Sequence, residues 1–335
     1  MQLAGRILVI SDWDADGVVA SALAYYSQSI ACKYPVEECC KVDLKPVEPL
    51  NIYSSLSKLS ESYEAVMFLD IPFLSKVASL FKMLREHFNV GRLIYIDHHI
   101  STISFESELR KLCDEIHVSL EATSTILYKV LLNKGVKVHE KLKMFTTVIS
   151  YMDRGLRVPN ELLQLLKLAS SISKILTIKR DPELYEKIVA WLVDSFPSPL
   201  PFDTLELRML ERKVKEVDEE LNRVVMDLAI TGKNIGYLKF IDASNYWKRR
   251  GATSLVLRLG RLLKSPVAVV FRGERGKILI VKASHSRAYR IAKYFIGEGL
   301  AEDIAGHPNL AIIKLSKEAS DKLIEDALRK ACYYV

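Results

Sequence analysis

The sequence lacks the features that would assign it to a membrane, secreted or repeat protein. No apolar run reaches the roughly 18 residues that a membrane-spanning helix needs. The chain does not begin with the basic and apolar pattern of a signal peptide. It also contains no internal repeat and no low-complexity tract. We therefore expect a globular cytoplasmic protein that has no membrane partner.

Cysteine is scarce, and its spacing excludes the common cysteine-based sites. The chain has 5 cysteines in 335 residues and no CxxC pair. An odd number of cysteines without paired spacing argues against a zinc ribbon or a disulfide scaffold. The sequence therefore predicts reduced thiols at Cys32, Cys39, Cys40, Cys113 and Cys332.

The composition is that of a globular protein with a basic surface. Hydrophobic residues make up 49% of the chain and charged residues 27%, which is enough for a substantial core. A length of 335 residues favours two domains over one. The formal net charge of +7 is compatible with a polyanionic partner such as a nucleic acid.

Three apolar runs end in an aspartate and predict the fold class. They are Arg6–Asp12, Ala65–Asp70 and Leu93–His99, the last of which reads LIYIDHH. Short runs rich in Ile, Val, Leu and Phe are typical of the buried strands of a parallel sheet. Helical patterns between the runs indicate βαβ units, so the sequence predicts an α/β fold with a doubly wound parallel sheet.

Acidic and histidine side chains follow these strands and predict a metal site. Ligands bind at the carboxyl ends of parallel strands, where these residues would converge. Carboxylates packed closely repel each other unless cations lie among them. Oxygen ligands with an imidazole suit Mn²⁺, with Mg²⁺ as the second choice. The residues are Asp12, Asp14, Asp16, Asp70, Asp97, His98 and His99.

Two alternatives to the metal site concern the segment DWDADG. A calcium-binding EF-hand loop would need a glutamate near Leu23, and the sequence has none there. A solvated polar turn is the other alternative. If the segment is extended, Asp12, Asp14 and Asp16 point to one side, because alternate residues of an extended chain share a face.

The second half of the chain predicts a connecting helix and a smaller α/β domain. Pro197, Pro199 and Pro201 form a breaker cluster, and apolar residues then repeat at alternating spacings of three and four between 207 and 228. This helix of roughly 25 residues either lies on its own domains or forms a coiled-coil homodimer seam. The predicted domains are 1–196, a linker and helix at 197–233, and 234–335.

The motifs resemble those of the RecJ-like DHH phosphoesterases. DWDADG resembles the first motif of this family, Asp70 fits the second, Asp97-His98-His99 is the DHH signature, and Asp153 in YMDRG fits the fourth. The second half is similar to the substrate-binding domain associated with the family. Its glycine-rich motif appears here as Ala305-Gly306-His307-Pro308.

The resemblance implies a centre with two metal ions, usually manganese. Asp14 would bind the first ion, Asp16 the second, and Asp70 would bridge them. His98 and Asp153 would complete the second site. Asp97 would hold His98 in orientation, and His99 would contact the scissile phosphate.

The first motif departs from the family pattern at one ligand. Many members carry a histidine two or four residues before the position of Asp14, where this chain has Asp12 and Ile10. Either Asp12 replaces that histidine at the first metal, or the first metal lacks one ligand.

The resemblance also implies where the substrate binds. Substrate would lie in a cleft between the domains, with one end held by Ser284, His285, Arg287, Gly306 and His307. A basic and aromatic cluster at 246–250, Tyr-Trp-Lys-Arg-Arg, is either a surface for single-stranded nucleic acid or a solvated turn.

The expected function is that of a Mn²⁺-dependent phosphodiesterase acting on single-stranded DNA or RNA or on short oligonucleotides. One alternative enzyme would hydrolyse a small nucleotide, such as a cyclic dinucleotide or an adenosine bisphosphate. The non-enzymatic alternative is a RecJ-like scaffold that binds replication or repair proteins. The metal motifs are all present in order, so the sequence favours an active enzyme.

Overall fold

The chain forms two compact units, Met1–Leu210 and Glu211–Val335. The computed structural model describes residues 5–56, 62–73, 75–88, 90–154, 156–196, 204–247, 251–273 and 276–334. The domain boundaries drawn from the sequence remain predictions. Pro197, Pro199 and Pro201, on which the first boundary depends, lie outside the described residues.

A five-stranded parallel sheet forms the centre of the first unit. Its strands run in the order β2-β1-β3-β4-β5, and every neighbouring pair is parallel. The α/β fold class predicted from the sequence is therefore confirmed. The strands are β1 (Arg6–Ser11), β2 (Lys41–Pro46), β3 (Ala65–Leu69), β4 (Arg92–Asp97) and β5 (Glu115–Val118).

The buried strands explain why the apolar runs were informative. All residues of β3 are buried, as are the last five residues of both β1 and β4, because helices cover both faces of a parallel sheet. The sequence analysis missed β5. Its four residues, Glu115–Val118, are all only partly buried and form no apolar run.

Nine α-helices of the first unit lie in its described residues. The helix α1 is buried at every residue from Ala15 to Ala24 and packs against α6, α7 and α9. The helices are α1 (Ala15–Tyr25), α2 (Ile52–Leu56), α3 (Ser75–His87), α4 (Ile100–Ser104), α5 (Glu106–Leu112), α6 (Thr123–Asn133), α7 (Glu140–Arg154), α8 (Leu163–Lys179) and α9 (Pro182–Val193).

Two cysteines of the first unit form a disulfide, which the sequence analysis did not predict. Cys32 and Cys39 are bonded, and their Cα atoms lie 4.5 Å apart. The prediction of reduced thiols is wrong for this pair, because the chain between them folds back and brings both residues within disulfide distance. Cys40, Cys113 and Cys332 carry free thiols, as expected.

The second unit contains a mixed six-stranded sheet and helices. Its strand order is β10-β11-β9-β8-β7-β6, with β7 and β8 parallel and the other pairs antiparallel. The helix α10 (Thr204–Ala229) begins in the first unit and continues past the boundary at Glu211 into the second. The elements that follow are β6 (Lys233–Ile235), β7 (Leu238–Asp242), α11 (Ala252–Leu262), β8 (Val267–Gly273), β9 (Gly276–Lys282), α12 (Arg287–Gly297), β10 (Ala301–His307), β11 (Leu310–Leu315) and α13 (Asp321–Tyr334).

Two segments of the second unit differ from what their sequence patterns predict. The apolar pattern of Ile235–Ile241 predicts a single strand, but the structure has a hairpin of β6 and β7 there, because Gly236 adopts a positive φ of 56° and turns the chain. The strand β10 was missed. Its alternate burial resembles a solvated segment, and only its pairing with β11 defines it.

The long amphipathic helix is confirmed as α10. Leu221, Val225 and Leu228 are buried in a core that also contains Leu259 and Val269. This part of the apolar face therefore packs on its own unit, as in the connecting-helix alternative. The homodimer remains a prediction. Asp203, with Glu206 three residues later, predicts an N-cap for this helix, but Asp203 lies outside the described residues.

No helix within the described ranges is both long enough and apolar enough to cross a lipid bilayer.

Candidate metal centre

The segment after β1 turns directly into α1. Asp14 caps this helix, and its Oδ1 accepts a hydrogen bond from the Gly17 amide at 3.0 Å. Asp16 lies in the first helical turn and is only 6% exposed. The extended conformation considered for DWDADG is therefore wrong at Asp16, because the helix begins at Ala15.

Gly17 is required by a close approach to the preceding loop. A Cβ at this position would lie 2.4 Å from the carbonyl oxygen of Asp12.

We expect Gly17→Ala to lower the free energy of unfolding by about 1–3 kcal/mol, because the loop must move to admit the methyl group. Urea unfolding measures the change. Gly297→Ala is the control, since no atom lies within 4 Å of its Cβ position. Equal stability of the two variants would contradict the prediction.

The start of α6 holds the carboxylate of Asp16. The Thr123 amide donates to Asp16 Oδ2 at 2.6 Å, and the Ser124 amide donates to Oδ1 at 2.9 Å. Amides at a helix N-terminus favour a negative charge. The Thr123 hydroxyl also donates to Asp70 Oδ1 at 3.2 Å. Thr123 therefore ties together two of the predicted metal ligands.

Asp70 follows β3 in a left-handed conformation. Its φ is +60°, and its amide donates to the Ile96 carbonyl of the β4 strand at 3.1 Å. Aspartate adopts this conformation more readily than most residues, and residues held in it concentrate at functional sites. The residue is only 2% exposed, so its carboxylate lies inside the unit.

The imidazole of His98 lies between carboxylates. Its Nε2 is 3.2 Å from Asp70 Oδ1 and 3.9 Å from Asp16 Oδ2. Its Nδ1 is 3.3 Å from Asp153 Oδ2, at the end of α7. Ligand atoms of Asp16, Asp70 and His98 all lie within 4.8 Å of one another. These three residues form the first triad.

Asp97 and His99 form a second group beside the first. Asp97 is fully buried, and its Oδ1 lies 2.8 Å from His99 Nδ1. Its other oxygen accepts hydrogen bonds from the Thr102 hydroxyl and the His99 amide. Ligand atoms of Asp70, Asp97 and His99 also lie within 4.8 Å of one another. This is the second triad, and Asp70 belongs to both.

The roles implied by the family resemblance differ from these contacts in one respect. Asp97 was expected to orient His98, whereas its carboxylate pairs with His99. The carboxylate on Nδ1 of His98 belongs to Asp153. Asp12 and Asp14 belong to neither triad, although the charge of Asp14 raises the pKa of Asp12, Asp16 and Asp70.

The carboxyl groups are held in a self-repelling arrangement. Burial and the charge of Asp14 raise the pKa of Asp12 to about 8. Burial raises the pKa of Asp16 to about 6, with a further contribution from Asp14. Burial and the charges of Asp14 and Asp16 raise the pKa of Asp70 well above its usual value. Such a cluster gains stability from a cation.

Histidine protonation compensates part of this charge. Burial disfavours the charged form of His98, but hydrogen bonds with Asp153 and Asp70 outweigh it and raise its pKa to about 12. Burial likewise opposes ionisation of Asp97, yet the charge and hydrogen bond of His99 keep the pKa of Asp97 below its usual value.

The donor set fits a hard divalent cation. It consists of carboxylate oxygens and imidazole nitrogens, which suit Mn²⁺ or Mg²⁺. A bound cation would replace the proton on His98 as the balancing charge. The residues present therefore match the metal class predicted from the sequence.

Several supporting residues were missed by the sequence analysis. The hydroxyl groups of Ser11, Ser21 and Tyr185 form mutual hydrogen bonds of 2.7–2.9 Å next to the DWDADG segment, and Tyr185 packs edge-on against Trp13. Thr123 and Ser124 carry one signal in the sequence, because they begin a run of hydroxyl residues where the helical pattern starts near Ala122. Tyr185 gave none, because it lies 174 residues from its partner Ser11.

In the second unit, the predicted substrate residues lie on two adjoining turns. Asn309 Oδ1 accepts a hydrogen bond from the Ser286 amide at 3.1 Å, and the Asn309 carbonyl accepts one from the Ala283 amide. These bonds join the turn that contains Ser284 and His285 to the turn that follows Gly306 and His307. The two predicted segments are therefore brought together within this unit.

The two turns have defined conformations. The backbone of His285 and Ser286 is left-handed, and His285 Nδ1 lies 3.0 Å from Ser284 Oγ. The guanidinium group of Arg287 lies over the ring of Tyr237, 5.0 Å from its centroid. Gly306 has a φ of +107°, and a Cβ there would lie 2.2 Å from the Leu310 carbonyl oxygen.

The basic and aromatic cluster is only partly described. Lys248, Arg249 and Arg250 lie outside the described residues. Tyr246 is 47% exposed, but Trp247 is 4% exposed and belongs to the core with α10 and α11. Trp247 is therefore a core residue, and the expectation that its ring offers a stacking surface is wrong.

Asp12 has a testable role at the centre. We expect Asp12→Ala to raise the Mn²⁺ concentration needed for half-maximal activity by roughly 10- to 100-fold, the range for supporting groups at metal sites. Asp12→His, which restores the residue type of relatives, should retain turnover. Metal titrations of activity measure both effects. An unchanged Mn²⁺ requirement in the alanine variant would exclude Asp12 from the metal site.

The chain matches no protein-family model. No curated protein is significantly similar to it in sequence. Solved structures, in contrast, match nearly the whole chain. RecJ from Thermus thermophilus in complex with Mn²⁺ superimposes with a TM-score of 0.65 and 14% identity, covering 99% of this chain and 52% of RecJ. The same protein with Mg²⁺ gives a TM-score of 0.57, 15% identity and coverages of 99% and 50%.

Two shorter proteins are also similar. The DHH domain of a protein assigned to a family of ribosomal proteins gives a TM-score of 0.64 and 17% identity, with coverages of 97% and 86%. PggH, a pGpG-specific phosphodiesterase from Vibrio cholerae, gives a TM-score of 0.54 and 11% identity, with coverages of 98% and 98%. The chain thus has the fold of RecJ and DHH-domain proteins, as its motifs imply, and spans about half the length of RecJ.

Proposed function

We propose that this protein is a divalent-metal-dependent phosphodiesterase that uses two Mn²⁺ ions to hydrolyse single-stranded DNA or RNA or short oligonucleotides. The observation that carries the proposal is the buried triad of Asp16, Asp70 and His98, in which Asp70 also lies beside the pair formed by Asp97 and the partly exposed His99. Asp70 would contribute to the binding of both cations. The likeness in fold to metal-bound RecJ supports the same interpretation.

The chain's own residues have two roles around the ions. Asp16, Asp70 and His98 would hold metal, with Asp12, Asp14 and Asp153 around them. Thr123 and Ser124 fix the Asp16 carboxylate through their amides, so that little reorganisation is needed when a cation arrives. The bound ions would supply an activated water and a positive clamp on the phosphate oxygens.

The side chain of His99 is placed to contact the substrate as well as to lie beside the metal ligands. Its side chain is 14% exposed, against 5% for His98, and the buried Asp97 orients its Nδ1. The ring therefore presents its other nitrogen in a defined direction. We assign it to the scissile phosphate, where a positioned imidazole donates a hydrogen bond to a charged oxygen.

The proposed substrates include short oligonucleotides because the fold of this chain is similar to that of PggH. This chain covers 98% of PggH, a phosphodiesterase specific for the dinucleotide pGpG, and 52% of RecJ. The match to PggH therefore extends over both units of this chain and nearly all of the other protein. A small-nucleotide phosphoesterase, acting on a dinucleotide or its cyclic form, is the second candidate for this reason.

Hydrolysis of defined substrates tests the proposal. Purified protein is incubated with Mn²⁺, Mg²⁺ or chelator and with labelled DNA and RNA, from dinucleotides to long single strands, and with cyclic dinucleotides. We expect cleavage of short single strands that needs added metal. Cleavage of dinucleotides alone would select the second candidate. Full activity in chelator, or none with any substrate and metal, would reject the proposal, and the latter result would favour a scaffold.

A further inference from the structure

A pocket on the first unit, separate from the metal centre, lies between α6 and α7. Its volume is about 430 Å³. We call it the α6–α7 pocket. It is lined by Thr125, Tyr128, Lys129, Leu132, Lys143, Thr146, Thr147, Ser150, Tyr151, Arg154 and Leu156. None of these residues belongs to the two triads or to the sequence motifs, apart from Tyr151 and Arg154 beside Asp153.

The lining combines flat apolar surface with positive charge. Tyr128 and Tyr151 are half-buried, and the exposed side chains of Leu132 and Leu156 extend the apolar surface. Arg154 is exposed and makes no ion pair within the described ranges, whereas Lys129 and Lys143 pair with Glu121 and Glu140. Bases stack on aromatic rings, and phosphates bind to lysine and arginine.

One polar atom of the lining lacks a partner. The Oγ1 atom of Thr125 is buried and forms no hydrogen bond with any described residue. A buried hydroxyl normally has a partner, and a bound water or ligand in the pocket can supply one to this atom. In contrast, the hydroxyls of Thr146 and Thr147 donate to carbonyls of their own helix, at Leu142 and Lys143.

The pocket shares its two helices with the metal centre. Thr125 is two residues beyond Thr123, which donates to both Asp16 and Asp70. Arg154 directly follows Asp153, whose carboxylate lies 3.3 Å from His98. The first turn of α6 and the last turn of α7 therefore contribute to both sites.

We infer that the α6–α7 pocket binds a nucleotide, with its base against Tyr128 and Tyr151 and its phosphate near Arg154. The hydroxyl of Thr125 meets a polar atom of the base or sugar. This inference rests on the proposed function, because the nucleotide then belongs to a single strand whose scissile phosphate lies at the metal centre. A free nucleotide offers the same chemistry, and the experiment distinguishes the two sources.

Photocrosslinking identifies the occupant directly. A phosphorothioate strand of roughly twelve nucleotides, within the usual site sizes for single strands, carries 5-iodouracil at one position at a time. It is irradiated with the full-length protein in Mn²⁺, and the crosslinked peptides are identified by mass spectrometry. We expect crosslinks to Tyr128 or Tyr151 from one or two neighbouring positions of the strand. Crosslinks from 5-iodouridine monophosphate alone would instead identify a free nucleotide as the ligand.

Affinity measurements provide the second test. We expect Tyr128→Ala to weaken strand binding about tenfold, the order of one lost stacking contact, and Tyr128→Phe to retain it. Arg154→Glu should weaken binding and lower the salt dependence by about one phosphate contact. Lys187→Glu, the same change in charge sign on the exposed face of α9, is the matched control.

The outcomes separate this inference from the proposed function. Neither crosslinking nor strand affinity requires hydrolysis. The protein could form crosslinks at Tyr128 or Tyr151, with weaker strand binding in the Tyr128→Ala and Arg154→Glu variants, and yet cleave no substrate. That result would support a nucleotide site in the α6–α7 pocket and reject the proposed phosphodiesterase activity. Hydrolysis without crosslinks to either tyrosine, and with unchanged affinity of Tyr128→Ala, would overturn the inference alone.

Discussion

We expect Asp70→Asn to lower the rate of metal-dependent hydrolysis roughly a thousandfold or more. The variant should still fold. Asp70 is common to both triads and is the ligand that we propose for both ions, so its loss should weaken metal binding at both. A metal clamp supplies several kcal/mol to such a reaction, which corresponds to a loss of this size. Initial rates measure the effect, and calorimetry with Mn²⁺ should show that metal binding is lost with it.

Asparagine is the informative replacement at this position. It tolerates the left-handed backbone of Asp70, with its φ of +60°, and removes the charge while it keeps the size of the side chain and one acceptor oxygen. The metal-free variant should unfold at no lower temperature than the parent protein, because the buried charge repels Asp14 and Asp16. Asp227→Asn, on the exposed face of α10, is the control for the loss of one carboxylate. Retained hydrolysis in Asp70→Asn would exclude a shared ligand at this position.

His99→Gln is expected to reduce turnover on the order of 100- to 1000-fold without changing Mn²⁺ affinity. The loss corresponds to removal of one positioned donor to a developing negative charge. Asp97 fixes the imidazole from the buried side, at 2.8 Å from Nδ1, so a glutamine amide cannot reproduce its position. Initial rates and Mn²⁺ calorimetry on the same preparation separate chemistry from metal binding.

His117→Gln is the matched control for this variant. His117 lies in β5 of the same unit and pairs with Glu115, on a strand that carries none of the predicted ligands. Its replacement should leave turnover unchanged. If His99→Gln instead loses Mn²⁺ affinity, then His99 is a metal ligand together with Asp70 and Asp97, as the distances within the second triad also permit.

Much of the fold could be predicted because the central strands are buried on both faces. β1, β3 and β4 are continuous apolar runs, and each is followed by an aspartate or ends in one. β5 and β10 could not be found in this way. Their residues are only partly buried or alternate in burial, so hydrogen bonding to β4 and β11 defines them, and a local pattern does not.

The contacts between the site residues were beyond the reach of sequence patterns. Adjacent residues His98 and His99 have different carboxylate partners, Asp70 with Asp153 and Asp97 respectively. Their ring directions depend on how β4 leaves the sheet and on where α7 ends. Spacing along the chain does not contain that information.

Local sequence was sufficient for the residue types of the centre, since aspartates and histidines after apolar strands come together wherever parallel strands end at one edge. Tertiary packing decided what surrounds them. The amides that hold Asp16 come from Thr123 and Ser124, 107 and 108 residues further along the chain. They reach Asp16 because α6 packs against the buried helix α1. The α6–α7 pocket and the Cys32–Cys39 disulfide likewise exist only through the approach of segments whose sequences carry no sign of each other.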